Sequence, residues 1–484
     1  MRILLASSEV YPYSKTGGLA DMVGAMAKSL AKAGHQVGVV TPLYRGIREQ
    51  YRELRPLENA LDLALGSKQV EALVWELEAE PRLTLYFIDC PKLFDRSFLY
   101  QEDGLDYPDN AERFILFSKA VVHLARHLPW RPEIMHLHDW QVALVPLFIR
   151  HQQFTEGWGT APRTCMTIHN LAYQGQFPRL KYDLTNLPAY YFQVQGVEFY
   201  GSLNCLKAGI IYADAVTTVS PRYAREIITP ELGCGLDGVL RSRRDALTGI
   251  LNGVDYSEWK TAGNPFLPAA YDAKDLSGKA ENKLALQREL GLPASATVPL
   301  FGAITRLVEQ KGVDIELEAL EEMLAANMQF ALLGSGHPLY EMAFQQLAQR
   351  YPAKVAVKIG YDHDLAHRIE AAADFYLMPS RFEPCGLNQM YSLRYGTIPV
   401  VRKIGGLDDS VIDLAEDAEQ ANGIKFMDYS AHALTKAIRK ALVLYETPEL
   451  LAHIRSNGMT ADFSWETTAD AYLRIYRRIP KSAS

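Results

Sequence analysis

Cysteine is scarce. The 484 residues hold five, Cys90, Cys165, Cys205, Cys234 and Cys385, far apart and never as C-x-x-C. That pattern excludes a disulfide framework and a cysteine zinc site, and it suits reduced thiols in a cytosolic protein. Long apolar runs are missing too. No stretch reaches the roughly 18 to 20 apolar residues that span a bilayer, and the run in MRILLASSEVYPYSKTGG is too short for a signal peptide. A cytoplasmic protein with no membrane partner is therefore expected. Nor is there a basic excess: the formal net charge is −7, which argues against nucleic acid as the main partner and leaves a small anionic ligand dependent on a local positive site. Short internal repeats and low-complexity tracts are absent as well. What remains is an ordinary enzyme-like composition, 48% hydrophobic and 22% charged, in a chain long enough for two to four domains.

The first informative stretch is Ser14-Lys15-Thr16-Gly17-Gly18-Leu19-Ala20-Asp21. It follows a strand-like run, Ile3 to Ala6, and precedes Leu19, Met22, Val23, Met26 and Leu30 at helical spacing. Glycines at a strand-to-helix turn, free N–H groups, the positive end of a helix dipole and the charge of Lys15 make a phosphate cradle. An ordinary solvated turn fits about as well. The spacing matches neither G-x-G-x-x-G nor G-x-x-x-x-G-K-[ST].

Strand-like runs recur at 36–41, 83–89, 134–138, 164–169 and 215–219, with helix-length patterns such as 110–127 between several of them. The pattern predicts an α/β fold with a parallel sheet covered on both faces, whose ligands gather at the strands' carboxyl ends. Residues 44–68 are charged and lack a clear strand, and 94–110 reads as a long loop, either a cover for a site or plain surface. Character changes near Leu251-Asn252-Gly253-Val254-Asp255, a polar stretch runs to about Gly278, and a second series follows at 298–305, 329–333, 354–358, 375–378 and 398–401. Two Rossmann-like domains are expected, at 1–251 and 252–460, with a C-terminal helix in 461–484 that could pack back on the first.

Polar residues closing these strands are candidates by position. In His136-Leu137-His138-Asp139-Trp140 the H-x-H spacing suits a metal, Asp139 over Trp140 suits a sugar hydroxyl, and a buried His136 with a helix-capping Asp139 is the bland alternative. Thr167-Ile168-His169-Asn170 ends a strand with no nucleophilic triad around it. Arg306 and Lys311, in a strand-to-helix turn, suit a diphosphate or simply solvent. Gly334-Ser335-Gly336 and Gly360-Tyr361 are further glycine-bearing strand exits. In Pro379-Ser380-Arg381-Phe382-Glu383-Pro384-Cys385-Gly386-Leu387, Glu383 precedes a helix, and Cys385 is either a lowered-pKa nucleophile or a thiol in a pocket wall.

Together KTGGLAD, HDW, TIHNLAYQG, KAGIIYAD with TTVSP, LNGVD, the Arg306–Gly312 turn, SRFEPCGLNQ, YGTIPVVR, GGLDD and DFSW, in this order, closely resemble the bacterial glycogen synthase and plant starch synthase family. The resemblance implies the GT-B fold, two Rossmann-like domains facing a central cleft, and retaining transfer of glucose from ADP-glucose to the non-reducing end of an α-1,4-glucan, with no metal cofactor. By motif position it puts Lys15, Gly17, Gly18 and Asp21 on the donor from the N-terminal side. Arg306 and Lys311 hold the diphosphate, and Asp139, His169, Asn170, Asn252 and Glu383 surround the glucose. Cys385 and Gly386 line the pocket, and Tyr361 lies near the adenine. Lys15, Asp139, His169, Arg306, Lys311 and Glu383 are the expected catalytic set. Two departures stand out: Met26-Ala27 replaces a common Leu-Pro, and Tyr391 occupies the second glutamate of the E-x7-E pattern of many related transferases, as bacterial glycogen synthases also lack it. Use of UDP-glucose or another acceptor, or a silent glucan-binding scaffold, are the alternatives.

Overall fold

The computed structural model of the protein describes residues 1–58, 60–158 and 160–480. It forms two compact units. The first takes Met1–Val219, Ala224–Ile250 and the chain from Trp465 onward; the second takes Ser220–Tyr223 and Leu251–Ser464. Among the described residues no helix is long and apolar enough to cross a membrane.

The first unit is built on one large sheet. Its central strand, Arg2–Ala6, pairs in parallel with Gln36–Pro42 on one side and Ile134–His138 on the other. Beyond Ile134–His138 lie Arg163–Ile168, Ala215–Thr218 and Leu247–Gly249, and beyond Gln36–Pro42 lies Leu83–Asp89, all parallel. Ile3, Leu4, Leu5 and Ala6 are fully buried, which is why this strand reads as an unbroken apolar run rather than an alternation. The order reverses at Arg2–Ala6: the next strand in sequence goes to one side, and later ones fill the other. At such a reversal the flanking connections diverge and leave a crevice at the carboxyl ends. The Ser14–Asp21 loop and the His138-Asp139 strand end both leave the sheet there.

The second unit repeats the device with six parallel strands in the spatial order Val355–Ile359, Gln329–Gly336, Leu300–Leu307, Phe375–Met378, Ile398–Arg402, Ile424–Phe426. Here the reversal lies between Leu300–Leu307 and Phe375–Met378. Those strands feed the Arg306–Gly312 turn and the Pro379–Gly386 loop, so both candidate loops again sit at the reversal.

Three expectations need correction. Residues 44–68 do contain strand: Leu61–Leu65 pairs antiparallel with the thirteen-residue Lys68–Glu80, which also pairs with Leu83–Asp89. Charges on its exposed positions disguise that strand, since this sheet edge is solvated on one face. Gly334 and Gly336 are not a loop; they remain in register with Thr305 and Leu307. A Cβ on either would come within 2.2 Å and 2.4 Å of those residues' carbonyl oxygens, so close strand approach, not a ligand, accounts for the glycines. Finally, Asn110–His127 is helical as expected, but the preceding segment carries a small hairpin, Gln101–Glu102 with Leu105–Asp106.

The helix Trp465–Arg478 belongs to the first unit. Its Tyr476 hydroxyl is hydrogen-bonded to His136 Nδ1 at 2.7 Å, and Arg163 donates to the carbonyls of Tyr476 and Ile479 at 2.9 and 3.0 Å. Met26 and Ala27, the first departure, are buried in the helix Gly18–Lys32, where they affect packing.

In the second unit the strand Phe375–Met378 is anchored by Asp374. Its carboxylate pairs with Lys283 at 2.6 Å and Arg455 at 2.7 Å and accepts the Leu300 N–H at 2.9 Å, with all three side chains largely buried. Removing the anion would strand two cations. Asp374→Ala is expected to cost about 3–5 kcal/mol, read as faster native-state amide exchange in Phe375–Met378 and a lower urea midpoint. Unchanged exchange would show that the cluster does not hold the strand.

Candidate active site

In the first unit the glycine loop is organised by a residue that the motif reading passed over. Glu9 is 3% exposed. Its carboxylate accepts the Thr16 N–H at 2.5 Å, the Thr16 hydroxyl at 2.7 Å, the Gly17 N–H at 3.3 Å and the Tyr100 hydroxyl at 2.7 Å. The cradle's outermost N–H groups are therefore met by an internal anion, and Tyr100 ties the 94–110 segment to the same carboxylate. Lys15 lies outside that network and pairs with Asp21 at 2.7 Å, both partly exposed. Glu9 could have been found by the rule that polar residues past strand ends are candidates, because it lies three residues beyond the first strand, Arg2–Ala6.

Two strands away, Asp139 sits at φ 61°, ψ −178°, a left-handed backbone that is costly for a residue with a Cβ. Its side chain does not cap the short helix that follows. Instead Oδ1 accepts the His169 N–H at 2.7 Å, and the carboxylate also receives the Asn170 N–H. Burial pushes its carboxyl up to about 7, the two N–H groups pull it down, and the Glu9 charge adds to the rise. Trp140 packs edge-on against Phe114 at 4.9 Å and against Phe177 at 5.7 Å. Asp139 thus fixes the turn that presents His169 and Asn170.

The metal reading of H-x-H fails. His136 uses both ring nitrogens, with the hydroxyls of Thr167 at 2.5 Å and Tyr476 at 2.7 Å. His138 Nδ1 faces His169 Nε2 at 3.1 Å. Burial pulls His136 and His169 down to about 3, and His138 well below its usual range. These imidazoles are neutral at physiological pH and act as hydrogen-bonding groups, not as proton donors.

In the second unit Lys311 Nζ lies 2.6 Å from Glu383 Oε2, and the Ser380 hydroxyl donates to the same oxygen at 3.0 Å. Glu383 is 6% exposed. The ion pair joins the two strand-end loops at the sheet's reversal. Glu383's own loop lies so close to Gly405 and Gly406 that a Cβ there would come within 1.8 Å of the Glu383 carbonyl oxygen and 2.1 Å of the Cys385 carbonyl oxygen; Gly405 also has φ +46°. Only glycine fits both constraints, and this explains the GGLDD stretch. Gln389 donates to the Cys385 and Gly386 carbonyls at 3.1 Å each, holding the loop from the helix side.

Cys385 is buried and receives a hydrogen bond from the Asn252 backbone; burial pushes its thiol up to about 12. It is a wall, not a nucleophile. Asn252 is buried with its Oδ1 unpartnered, an acceptor available to a hydroxyl. The Arg306 side chain is exposed, without an ion pair among the described residues. Tyr361 is 83% exposed beside Gly360, whose N–H donates to the Gly334 carbonyl at 2.9 Å. Asn252, Lys311, Glu383 and Cys385 are thereby brought together; Tyr361 stands apart on the surface.

Two sheet-centred α/β units, each with its candidate residues at a strand reversal, fit the GT-B class of fold. Residues 2–242 match the family model for the starch synthase catalytic domain, and residues 292–459 match that for glycosyl transferases group 1. The chain is 49% identical to a glycogen synthase of Anaeromyxobacter sp. (strain Fw109-5) and 46% identical to one of Thioalkalivibrio sulfidiphilus, each over 99% of both chains. The catalytic domain of starch synthase IV from Arabidopsis thaliana, solved bound to ADP and acarbose, superposes with a TM-score of 0.88 at 35% identity over 99% of both chains. A sucrose-phosphate synthase from Thermosynechococcus elongatus shares the fold, with a TM-score of 0.61 at 20% identity. The chain belongs to the glycogen synthase and starch synthase family of retaining glycosyltransferases.

Two measurements follow from this geometry. Glu9→Ala frees the Thr16 and Gly17 N–H groups and the Tyr100 hydroxyl; at about 1.5–3 kcal/mol for a hydrogen bond to a charged group, kcat/KM is expected to fall about 10- to 100-fold with the fold intact. A wild-type value would show that loop order is not limiting. Brief iodoacetamide treatment at neutral pH is expected to label the exposed Cys234, leave Cys385 unmodified by peptide mass analysis, and spare activity. Rapid Cys385 labelling would contradict the neutral, buried thiol.

Proposed function

We propose that this enzyme is a cytoplasmic glycogen synthase that transfers glucose from ADP-glucose to the non-reducing end of an α-1,4-glucan with retention. The observation that carries the reading is the Lys311–Glu383 pair at the second sheet's reversal, 2.6 Å apart, with the exposed Arg306 on the same turn. A departing nucleoside diphosphate gains negative charge, and cations placed at a strand end with helix N-termini stabilise it in the transition state. Arg306 and Lys311 would take that role in the second unit, with no metal cofactor required, and Lys15 with the Gly17-Gly18 backbone are the first unit's candidates for contact with the donor. The ADP and acarbose bound by the starch synthase IV domain, and the glycogen synthase relatives, support adenine over uracil and a glucan acceptor.

The reaction we infer is a front-face displacement. The bond from the sugar's anomeric carbon to the phosphate oxygen breaks, and the acceptor hydroxyl bonds to that carbon on the same face. The hydroxyl proton passes to a phosphate oxygen. Glu383 stabilises the oxocarbenium-like sugar electrostatically, together with the His169 carbonyl, whose peptide is oriented by Asp139. One oxygen of Glu383 is already committed to Lys311 and Ser380, a poor state for a nucleophile. Asn252 Oδ1 is the acceptor for a sugar hydroxyl, Asn170 and Gly386 border the glucose, and Tyr361 is the surface on which the adenine rests. Lys15, paired with Asp21 at 2.7 Å and lying over the Tyr11 ring, is the first unit's candidate cation for the donor.

Labelled ADP-glucose and UDP-glucose, each incubated with glycogen, test the reading. Incorporation is expected chiefly from ADP-glucose. Lys15→Ala and Glu383→Ala are each expected to lose about 100- to 1000-fold in kcat, the scale of removing one charge-stabilising group. A preference for UDP-glucose would replace the donor, and no incorporation from either would overturn the assignment. Near-wild-type rates in both variants would overturn the site, and a trapped glucosyl-enzyme ester would overturn the front-face step.

A further inference from the structure

Away from these residues, the second unit gathers Glu258, His363 and His367 so that one ligand atom of each lies within 4.8 Å of the other two. It is the one such group of three among the described residues. We propose that these three side chains bind a divalent transition-metal ion of the zinc class, at a site separate from the glucosyl-transfer residues.

The helix supplies the geometry. His363 and His367 open and centre the helix His363–Ala372, and residues four apart fall on one face. Such pairs present two imidazoles to one ion. Glu258 closes the set from the polar stretch that follows Leu251–Asp255, its Oε1 3.7 Å from His363 Nε2. Two imidazole nitrogens and a carboxylate oxygen, with a fourth position for water, form a common zinc ligand set.

The second observation is the state of His367. Its ring is fully buried, and Nδ1 lies 2.8 Å from the Tyr395 hydroxyl, which can accept its N–H. Nε2 is buried with no hydrogen-bond partner. Leaving a buried polar nitrogen unmet costs about 1–3 kcal/mol; a metal would satisfy it. With its proton on Nδ1 and donated to the Tyr395 hydroxyl, the ring leaves Nε2 bare, as in a metal-ligating histidine. The ring stacks on Trp259 at 4.2 Å and packs against Phe266 at 4.9 Å, and Phe266 also meets His363 edge-on at 5.2 Å. This apolar shell limits water around the ion.

Zinc–nitrogen bonds of about 2.0–2.1 Å require the three ligand atoms to draw closer than they stand. His363 and Glu258 are each about one-third exposed, so their side chains have room to turn while His367 stays fixed. The ion would clip the Glu258-Trp259 segment to the helix. Trp259 also stacks on Tyr391 at 3.7 Å and 4°, at the position where many related transferases carry a second glutamate, so the clip would brace that stack.

The test uses the purified full chain, freed of metal by chelator and dialysis, and titrated with Co²⁺ followed by visible absorption, with Zn²⁺ as competitor. One Co²⁺ per chain with a tetrahedral-type visible band, displaced by Zn²⁺, is expected. His363→Ala and Glu258→Gln should each weaken binding about 10-fold or more and abolish the rise in melting temperature that Zn²⁺ gives the wild type. Both side chains are partly exposed, and circular dichroism verifies folding. His123→Ala removes the other histidine pair spaced four apart, whose rings stack at 4.3 Å; it should change nothing. Absence of the band, wild-type affinity in both site variants, or loss of binding in His123→Ala would each overturn the proposal.

Discussion

A carboxylate cannot be buried cheaply, and most of this protein's candidate chemistry follows from how four of them are accommodated. Glu9, Asp139, Asp374 and Glu383 are each less than 9% exposed. Desolvating an isolated carboxylate costs several kcal/mol after relaxation, which only close donors or cations offset. Each therefore fixes whatever supplies its partners. Glu9 collects the Thr16 and Gly17 N–H groups and Tyr100, Asp139 collects the His169–Asn170 turn, Asp374 collects Lys283, Arg455 and the edge of a strand, and Glu383 collects Lys311 and Ser380. Loops that the sheet alone would leave loose are held by charges that must be satisfied.

This changes the part played by the glycine loop. A strand–Gly–Gly–helix turn invites an external anion, but here the first claim on its amides belongs to Glu9. The loop is ordered before any donor arrives, so little conformational entropy remains to be lost on binding. A second anion near a buried carboxylate is disfavoured unless a cation intervenes; in the proposed function Lys15, paired with Asp21 at 2.7 Å, would supply that charge, while the glycines would let a diphosphate approach the backbone.

The strand series and the strand-end placing of the candidate loops were legible because parallel strands buried on both faces are written as apolar runs, and their carboxyl ends break into polar residues. What the spacing hid were partnerships across long sequence separations. Nothing local announces that Lys311 meets Glu383, or that Tyr476 from the last helix reaches His136. The strand Lys68–Glu80 was obscured by glutamates on its solvated face. Gly334 and Gly336 resembled a cradle because close packing of two strands and close approach of a ligand demand the same residue. Asp139 does not cap the helix that follows it, since its positive-φ backbone turns the carboxylate toward the next strand's exit.

The Lys311–Glu383 pair also bears on how the reaction can be timed. The lysine compensates the glutamate's charge at 2.6 Å, beside a thiol wall and a closely packed glycine turn. In the proposed reaction a diphosphate would bring negative charge toward the same lysine and compete for it. As the ammonium shifted toward phosphate, Glu383 would lose part of its compensation while positive charge developed on the sugar, and the attraction between carboxylate and oxocarbenium would strengthen at low dielectric. Stabilisation would then be greater in the transition state than in the ground state, which is the condition for raising kcat and not merely tightening binding. A single cation shared between the leaving group and the carboxylate would couple departure of the nucleotide to stabilisation of the sugar it leaves behind.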